Sequence, residues 1–185
     1  MKEILSHKEI LSNLQHIAEV FTEDKLTLTT AESCTGGGLA FEFTRLPGSS
    51  AWFNQGWVTY SNEAKVSALG VSQDALGSGA VSEACATEMA MGARKAAHAD
   101  FAISITGIAG PDGGTESKPV GTVWIGFASH ERAHAFCFHF TGDRHQIREQ
   151  AIQAAILGVV LWLDDSLAHI YFEESNLPVK KHSHF

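Results

Sequence analysis

Apolar positions recur along this chain with two different periods, and the switches between them mark out its elements. Ile10, Leu11, Leu14, Ile17, Ala18 and Phe21 fall at helical spacing, which predicts an amphipathic helix from about Lys8 to Thr22. Leu26 to Thr30 alternates apolar and β-branched polar residues and reads as a strand, and Leu39 to Phe43 suits a short buried helix. After the loop Leu46 to Ser50, the aromatic and β-branched stretch Ala51 to Tyr60 predicts a second strand. Ser61 or Asn62 caps a helix through Glu63 to Leu69, with Gly70 as its stop. Ser72 and Ser82 cap two more helices, the second running through the alanine-rich Glu83 to His98 with Ala84, Met91 and Ala97 expected against a sheet. Phe101 to Ile105 is a third strand. Gly121 to Ala128 and Arg132 to Phe140 alternate on either side of Ser129-His130-Glu131, as an antiparallel hairpin does. A last long helix follows Thr141-Gly142-Asp143-Arg144, its apolar face formed by Ile147, Ala151, Ala154, Ala155, Val159 and Leu163.

Helices before, between and after the strands predict an α/β class with layers, and the hairpin makes the sheet mixed. The pattern weakens after Asp164, so one domain is expected over residues 1–165, with a partly disordered C-terminal extension over 166–185. Within that extension Glu173 to Phe185, with Pro178, Lys180, Lys181 and two histidines, reads as a frayed tail. There is no internal repeat.

Composition narrows the function classes. At 185 residues and 44% hydrophobic content the chain can bury a sizeable core. A formal net charge of −8 argues against nucleic acid as a partner, because phosphate-backbone binding needs a basic face. The charged start Met1 to Glu9 does not resemble a signal peptide, and no apolar run is long enough for a bilayer, so a soluble cytoplasmic protein with no membrane partner is expected. Cys34, Cys85 and Cys137 are widely spaced and odd in number, which indicates reduced thiols rather than disulfides or a zinc cluster. Of the ten histidines, His182 and His184 lie in the tail, His134 and His139 point to opposite faces of one strand, and no His-Glu-x-x-His occurs. A metal site is therefore not expected.

The candidate chemistry sits at strand ends. Thr30-Ala31-Glu32-Ser33-Cys34-Thr35-Gly36-Gly37-Gly38 places hydroxyl and thiol groups after a strand and before a glycine-opened helix, where a nucleophile can be presented and amide N–H groups can meet an anion. An ordinary capped turn fits the same residues. A second glycine-rich loop, Thr106-Gly107-Ile108-Ala109-Gly110-Pro111-Asp112-Gly113-Gly114, ends the third strand, and the two loops share a cleft if their strands are parallel neighbours. Neither loop holds a histidine, which leaves lysine or a carboxylate as the base for Ser33. Lys65, one turn into the helix beyond Tyr60-Ser61-Asn62, can reach the same pocket, although its spacing alone favours a solvated surface lysine. As a base its pKa must fall from about 10.4 by roughly three units, a difference of about 4 kcal/mol, through burial or neighbouring cations. Cys34 is a rival nucleophile without an imidazolium partner. Glu32 can orient the nucleophile, hold an active-site cation or cap the turn. Tyr60 can donate a proton or simply pack, and Arg144 suits a phosphate or carboxylate or a surface ion pair. Trp52, Phe53 and Trp57 can stack on a planar ring or fill the core.

Several blocks together resemble the CinA C-terminal domain family: Ala31 to Gly37, Val58 to Lys65, Gly79 to Ser82, Ser104 to Gly114, Lys118 to Val123 and Gly142-Asp143-Arg144. They occur in the family's order and cover roughly Leu14 to Leu163, leaving the tail outside. The stand-alone members resemble this chain in length, and no competence-type N-terminal domain precedes it. The resemblance implies a three-layer α/β/α sandwich with a mixed sheet, a homo-oligomeric habit, and hydrolysis of nicotinamide mononucleotide to nicotinate mononucleotide and ammonia in pyridine nucleotide salvage. It carries the nucleophile role onto Ser33 and the base role onto Lys65, with Tyr60 as helper and no cofactor. In the mechanism this suggests, backbone N–H groups near Gly36 or Gly107 hold the oxyanion. Glu32, Thr35, Gly36, Gly37, Thr106, Gly107 and Arg144 are the expected substrate-binding residues. A non-catalytic nucleotide-binding module, or a serine amidase for another small carboxamide, are the alternatives.

Overall fold

The computed structural model describes residues 5–164 and two short strands beyond them, at 170–172 and 178–180. Helix α1 (His7–Glu23) starts at a capping box in which Ser6 and Glu9 each satisfy the other's backbone N–H, and it buries Leu14, Ile17 and Phe21. Strand β1 (Leu28–Glu32) is buried at all five positions. It starts two residues later than the alternation suggested and runs on to Glu32. The reason is its place at the centre: β2 (Phe53–Val58) and β3 (Phe101–Gly107) both pair with it in parallel, and helices cover both faces. The antiparallel hairpin of β4 (Thr122–Ala128) and β5 (Ala133–His139) extends the sheet from β3, giving the order β2-β1-β3-β4-β5. The sheet is mixed, as expected.

Helices α2 (Gly38–Phe43) and α6 (Arg144–Leu163) join α1 on one face, over Leu28, Ile103, Ile105, Val123, Ile125 and Phe127. Trp52 belongs to this core, against Phe21, Phe43 and Phe53. It therefore precedes β2 instead of lying within it. On the other face lies α5 (Glu83–Ala97), flanked by α3 (Asn62–Leu69) and α4 (Gln73–Gly77). Together these make the three layers of an α/β/α sandwich.

The face α5 turns to the sheet differs from expectation. Cys85, Ala86, Met89, Ala90 and Ala93 are buried, whereas Met91 is 51% exposed, Ala84 is exposed and Ala97 is half-buried. An alanine-rich helix is apolar nearly all round, so its pattern does not select a face. Close approach does: a Cβ on Gly126 of β4 would stand 2.5 Å from both the Ala86 carbonyl oxygen and Ser104 Oγ. Ser104 donates its hydroxyl to that same carbonyl.

Beyond α6, β6 (Ile170–Phe172) and β7 (Pro178–Lys180) pair antiparallel as a separate two-stranded sheet. The rest of the expected C-terminal extension lies outside the described residues. No helix among the described residues is long and apolar enough to cross a membrane.

Candidate active site

Parallel pairing brings three strand ends to one level. The Ser33 N–H donates to the Ile105 carbonyl at the end of β3, and the Thr59 N–H just past β2 donates to the Glu32 carbonyl at the end of β1. The loops after β1, β2 and β3 thus leave the same edge of the sheet, where α/β folds collect their ligands. Gly36 and Gly37, at φ 60° and 93°, turn the chain back into α2 in a left-handed conformation open to glycine.

Glu32 is wholly buried and its role is now definite. Its two carboxylate oxygens accept from the N–H groups of Gly37, Leu39 and Ala40 at 3.1, 3.0 and 2.9 Å. Gly37 at the helix start has no capping side chain, so Glu32 satisfies the first amides of α2 and places negative charge at its positive end. Expected among the substrate-binding residues, Glu32 is placed by these bonds as the cap of α2. Amides of this loop are also bonded: Gly36 donates to Ser33 O, and Gly38 to Thr35 O. The Gly36 N–H, near which an oxyanion site was expected, is thus directed to the Ser33 carbonyl. The Thr35 N–H, two residues past Ser33, has no acceptor among the described residues. The Thr35 hydroxyl is likewise buried without a partner.

Ser61 caps α3 and sets Lys65 one turn inside it, pointing inward. Lys65 is 1% exposed, so it is not the solvated surface lysine its spacing allowed. Its Nζ lies 3.1 Å from Ser33 Oγ, 2.8 Å from the Thr59 carbonyl and 3.3 Å from the Tyr60 carbonyl. No carboxylate pairs with it among the described residues. Burial in this setting pushes the Lys65 pKa below its ordinary value, with smaller opposing effects from the Cys85 and Cys34 thiols. In the neutral amine, two N–H groups can stay on the carbonyls while the lone pair faces the serine hydroxyl. Ser33 itself is buried, with 8% of its surface exposed.

Cys34 is a poor rival. Burial drives its thiol up to about 11, against weaker pulls downward from its own backbone N–H, Arg148 and Arg144, so the thiolate is scarce near neutral pH.

Tyr60 turns its carbonyl to Lys65 and its ring outward, and its hydroxyl accepts from Arg144 Nη2 at 2.9 Å. Arg144 also donates from Nη1 to the Gly110 carbonyl at 2.7 Å, tying the β2–α3 connection to the glycine-rich loop after β3. Thr106, expected to meet substrate, gives its buried hydroxyl to the Ala80 carbonyl at 2.7 Å and so anchors the 79–82 segment instead. Gly107 is packed hard on β4, where a Cβ would stand 2.6 Å from Val123 Cγ2. Trp52 fills the core and Trp57 is half-buried against the second cluster, so neither offers a ring for stacking. One neighbour of the site had no signal in the motifs: Arg148 donates to the Thr35 carbonyl at 2.8 Å. Its spacing of four residues from Arg144 was the available clue. The open groove of about 560 Å3 between α3 and α4 runs along Asn62, Val66 and Leu76, and neither Ser33 nor Lys65 lines it.

The family described as CinA C-terminal domain matches residues 11–161. A nicotinamide-nucleotide amidohydrolase PncC from Escherichia coli K12 is 49% identical over 155 residues, covering 82% of this chain and 93% of that protein. One of the same name from Enterobacter agglomerans is 56% identical over 126 residues, covering 67% and 77%. Among solved structures, a competence-damaged protein (CinA) superfamily protein from E. coli superposes with a TM-score of 0.81 at 36% identity, covering 85% of this chain and 93% of that one.

Proposed function

The chain belongs to the CinA C-terminal domain family, and from that premise we propose that it is a nicotinamide-nucleotide amidase working through a Ser33–Lys65 pair. Relatives named as nicotinamide-nucleotide amidohydrolases, at about half identity over most of the chain, support the substrate. The observation that carries the mechanism is the clamp on Lys65, whose Nζ has two backbone carbonyls for its hydrogens and the Ser33 hydroxyl as its third neighbour.

In this scheme neutral Lys65 takes the Ser33 proton as Oγ attacks the carboxamide carbon. The carbonyl oxygen becomes an oxyanion, for which the Cys34 and Thr35 N–H groups, without a carbonyl acceptor among the described residues, are the available donors. The C–N bond then breaks as the Lys65 ammonium gives its proton to the carboxamide nitrogen, which leaves as ammonia. A water molecule gives one proton to the same amine as it attacks the ester, the acyl carbon–Oγ bond breaks, and Lys65 returns that proton to Oγ, restoring Ser33. The product acid leaves as a carboxylate with its proton on ammonia, and Lys65 carries each proton transferred at Ser33, so the scheme needs no metal. Tyr60 and Arg144 form the rim beside Ser33, and Arg144, with two protein acceptors already, is the group suited to an anionic substituent of the substrate.

The reading extends to a cytoplasmic homo-oligomer. Three free cysteines support the compartment, and the exposed apolar Phe41 and Val58, at 67% and 54%, support association of copies; light scattering on a sizing column checks the latter. Ammonia release from nicotinamide mononucleotide, without added metal, tests the activity. Ser33→Ala and Lys65→Ala are each expected to reduce turnover by more than about 10³-fold. Full turnover in Ser33→Ala would remove the covalent scheme. A folded chain that binds the nucleotide and releases no ammonia would be a binding module.

A further inference from the structure

The second turn of α6 carries a charge that this scheme leaves unused. Arg144, Arg148 and Ile152 are spaced by four residues and share one stripe of the helix. Each meets a different part of the nucleophile's surroundings. Arg144 reaches Tyr60 and Gly110, Arg148 holds the Thr35 carbonyl, and Ile152 fills the space where a side chain on Gly38 would stand. Among the described residues no carboxylate pairs with Arg148, and its Nε is buried without an acceptor. A partly desolvated guanidinium with no counter-ion favours negative charge that forms close by.

The peptide it grips is held at both ends. Between Thr35 and Gly36, the carbonyl accepts from Arg148 Nη2 at 2.8 Å and the N–H donates to the Ser33 carbonyl at 3.1 Å. With Gly36 and Gly37 both at positive φ, this turn has the conformational freedom to rotate its peptide planes, and those two bonds remove it. The Thr35 N–H lies on the adjoining peptide, joined to that plane through the Thr35 Cα, so holding the plane narrows the directions open to this N–H.

We propose that Arg148 is a positioning residue for acyl transfer at Ser33: through the Thr35 carbonyl it aims the Thr35 N–H at the developing oxyanion, and its unpaired charge favours that anion. The inference rests on the Ser33 nucleophile of the amidase reading, so its test uses two independent readouts. The first is the rate at which a fluorophosphonate probe labels Ser33. There Oγ forms a bond to phosphorus, the phosphorus–fluorine bond breaks, fluoride leaves and the hydroxyl proton passes to Lys65. The second is ammonia release from nicotinamide mononucleotide.

Arg148→Met is expected to slow labelling and lower kcat, each by roughly 10- to 100-fold, with KM nearly unchanged. Arg148→Lys, which keeps the charge and a donor, recovers most of the labelling rate. Melting temperatures separate these losses from unfolding. Should Arg148→Met not fold, Arg148→Gln, which keeps a donor and loses the charge, takes its place with a smaller loss expected. Labelling of Arg148→Met at the unmodified rate overturns the proposal. A change confined to KM does so too, because it makes Arg148 a substrate-binding group. If the intact chain releases no ammonia yet labels in an Arg148-dependent way, the nicotinamide substrate fails and the positioning role stands. If Ser33 of the intact chain does not label, both fail.

Discussion

Lys65 shows how a single buried amine sets both chemistry and stability. Burial lowers its pKa in the folded chain, so the unfolded chain holds more protons from that lowered value up to about 10.4. Stability therefore rises with pH across this window. The gain should vanish in Lys65→Met, so the denaturant midpoint of the intact chain should climb relative to that of the variant as pH is raised. The same shift places the acidic limb of kcat/KM below the ordinary lysine range, with activity rising as Lys65 loses its proton. Glu32 is the opposite case, a buried charge that three amides satisfy. Glu32→Gln removes the charge and sets amide hydrogens against those N–H groups, an expected loss of about 2–3 kcal/mol by chemical denaturation. The proximity of Ser33 and Lys65 was legible in part, since a strand end, a glycine turn and a capped helix put both near one edge of the sheet, whereas the inward turn of Lys65 was not set by its spacing. Arg148 was not legible, since its contact is made by packing α6 against a turn 113 residues away.

Elements with one apolar stripe or a clear alternation were readable, and those whose neighbours decide their burial were not. Helix α1 lies within a residue of expectation because it has one covered face, and the β4–β5 hairpin does so because the turn closed by Ser129 N–H on the Arg132 carbonyl sets its bounds. Strand β1 lacks a contrast between its faces, being enclosed on both sides. Helix α5 lacks it for another reason, as alanine and methionine surround its axis. What fixes α5 is contact with Gly126 and Ser104, visible only once the sheet is assembled. Gly126→Ala places a methyl against the Ala86 carbonyl and must push α5 outward. The expected cost is about 1–3 kcal/mol, read from a shifted urea midpoint with an unchanged slope.

At the scale of the whole molecule, the site exists only where separate layers meet. Ser33 comes from the central strand, Lys65 from the layer on one face and Arg144 from the layer on the other. Loss of ammonia release on heating should therefore coincide with loss of far-UV ellipticity, with no earlier fading of activity. Two separated transitions would show that one layer loosens first. The stripe of Arg144, Arg148 and Ile152 has a further consequence for how the chain tolerates change in length. Each residue advances an α-helix by about 100°, so one residue inserted between Asp143 and Ile152 would swing at least one of these side chains off the nucleophile's turn without altering composition. The first two turns of α6 act as a ruler, and in variants of this chain insertions should be accepted in the loops around the site before a single one is accepted there.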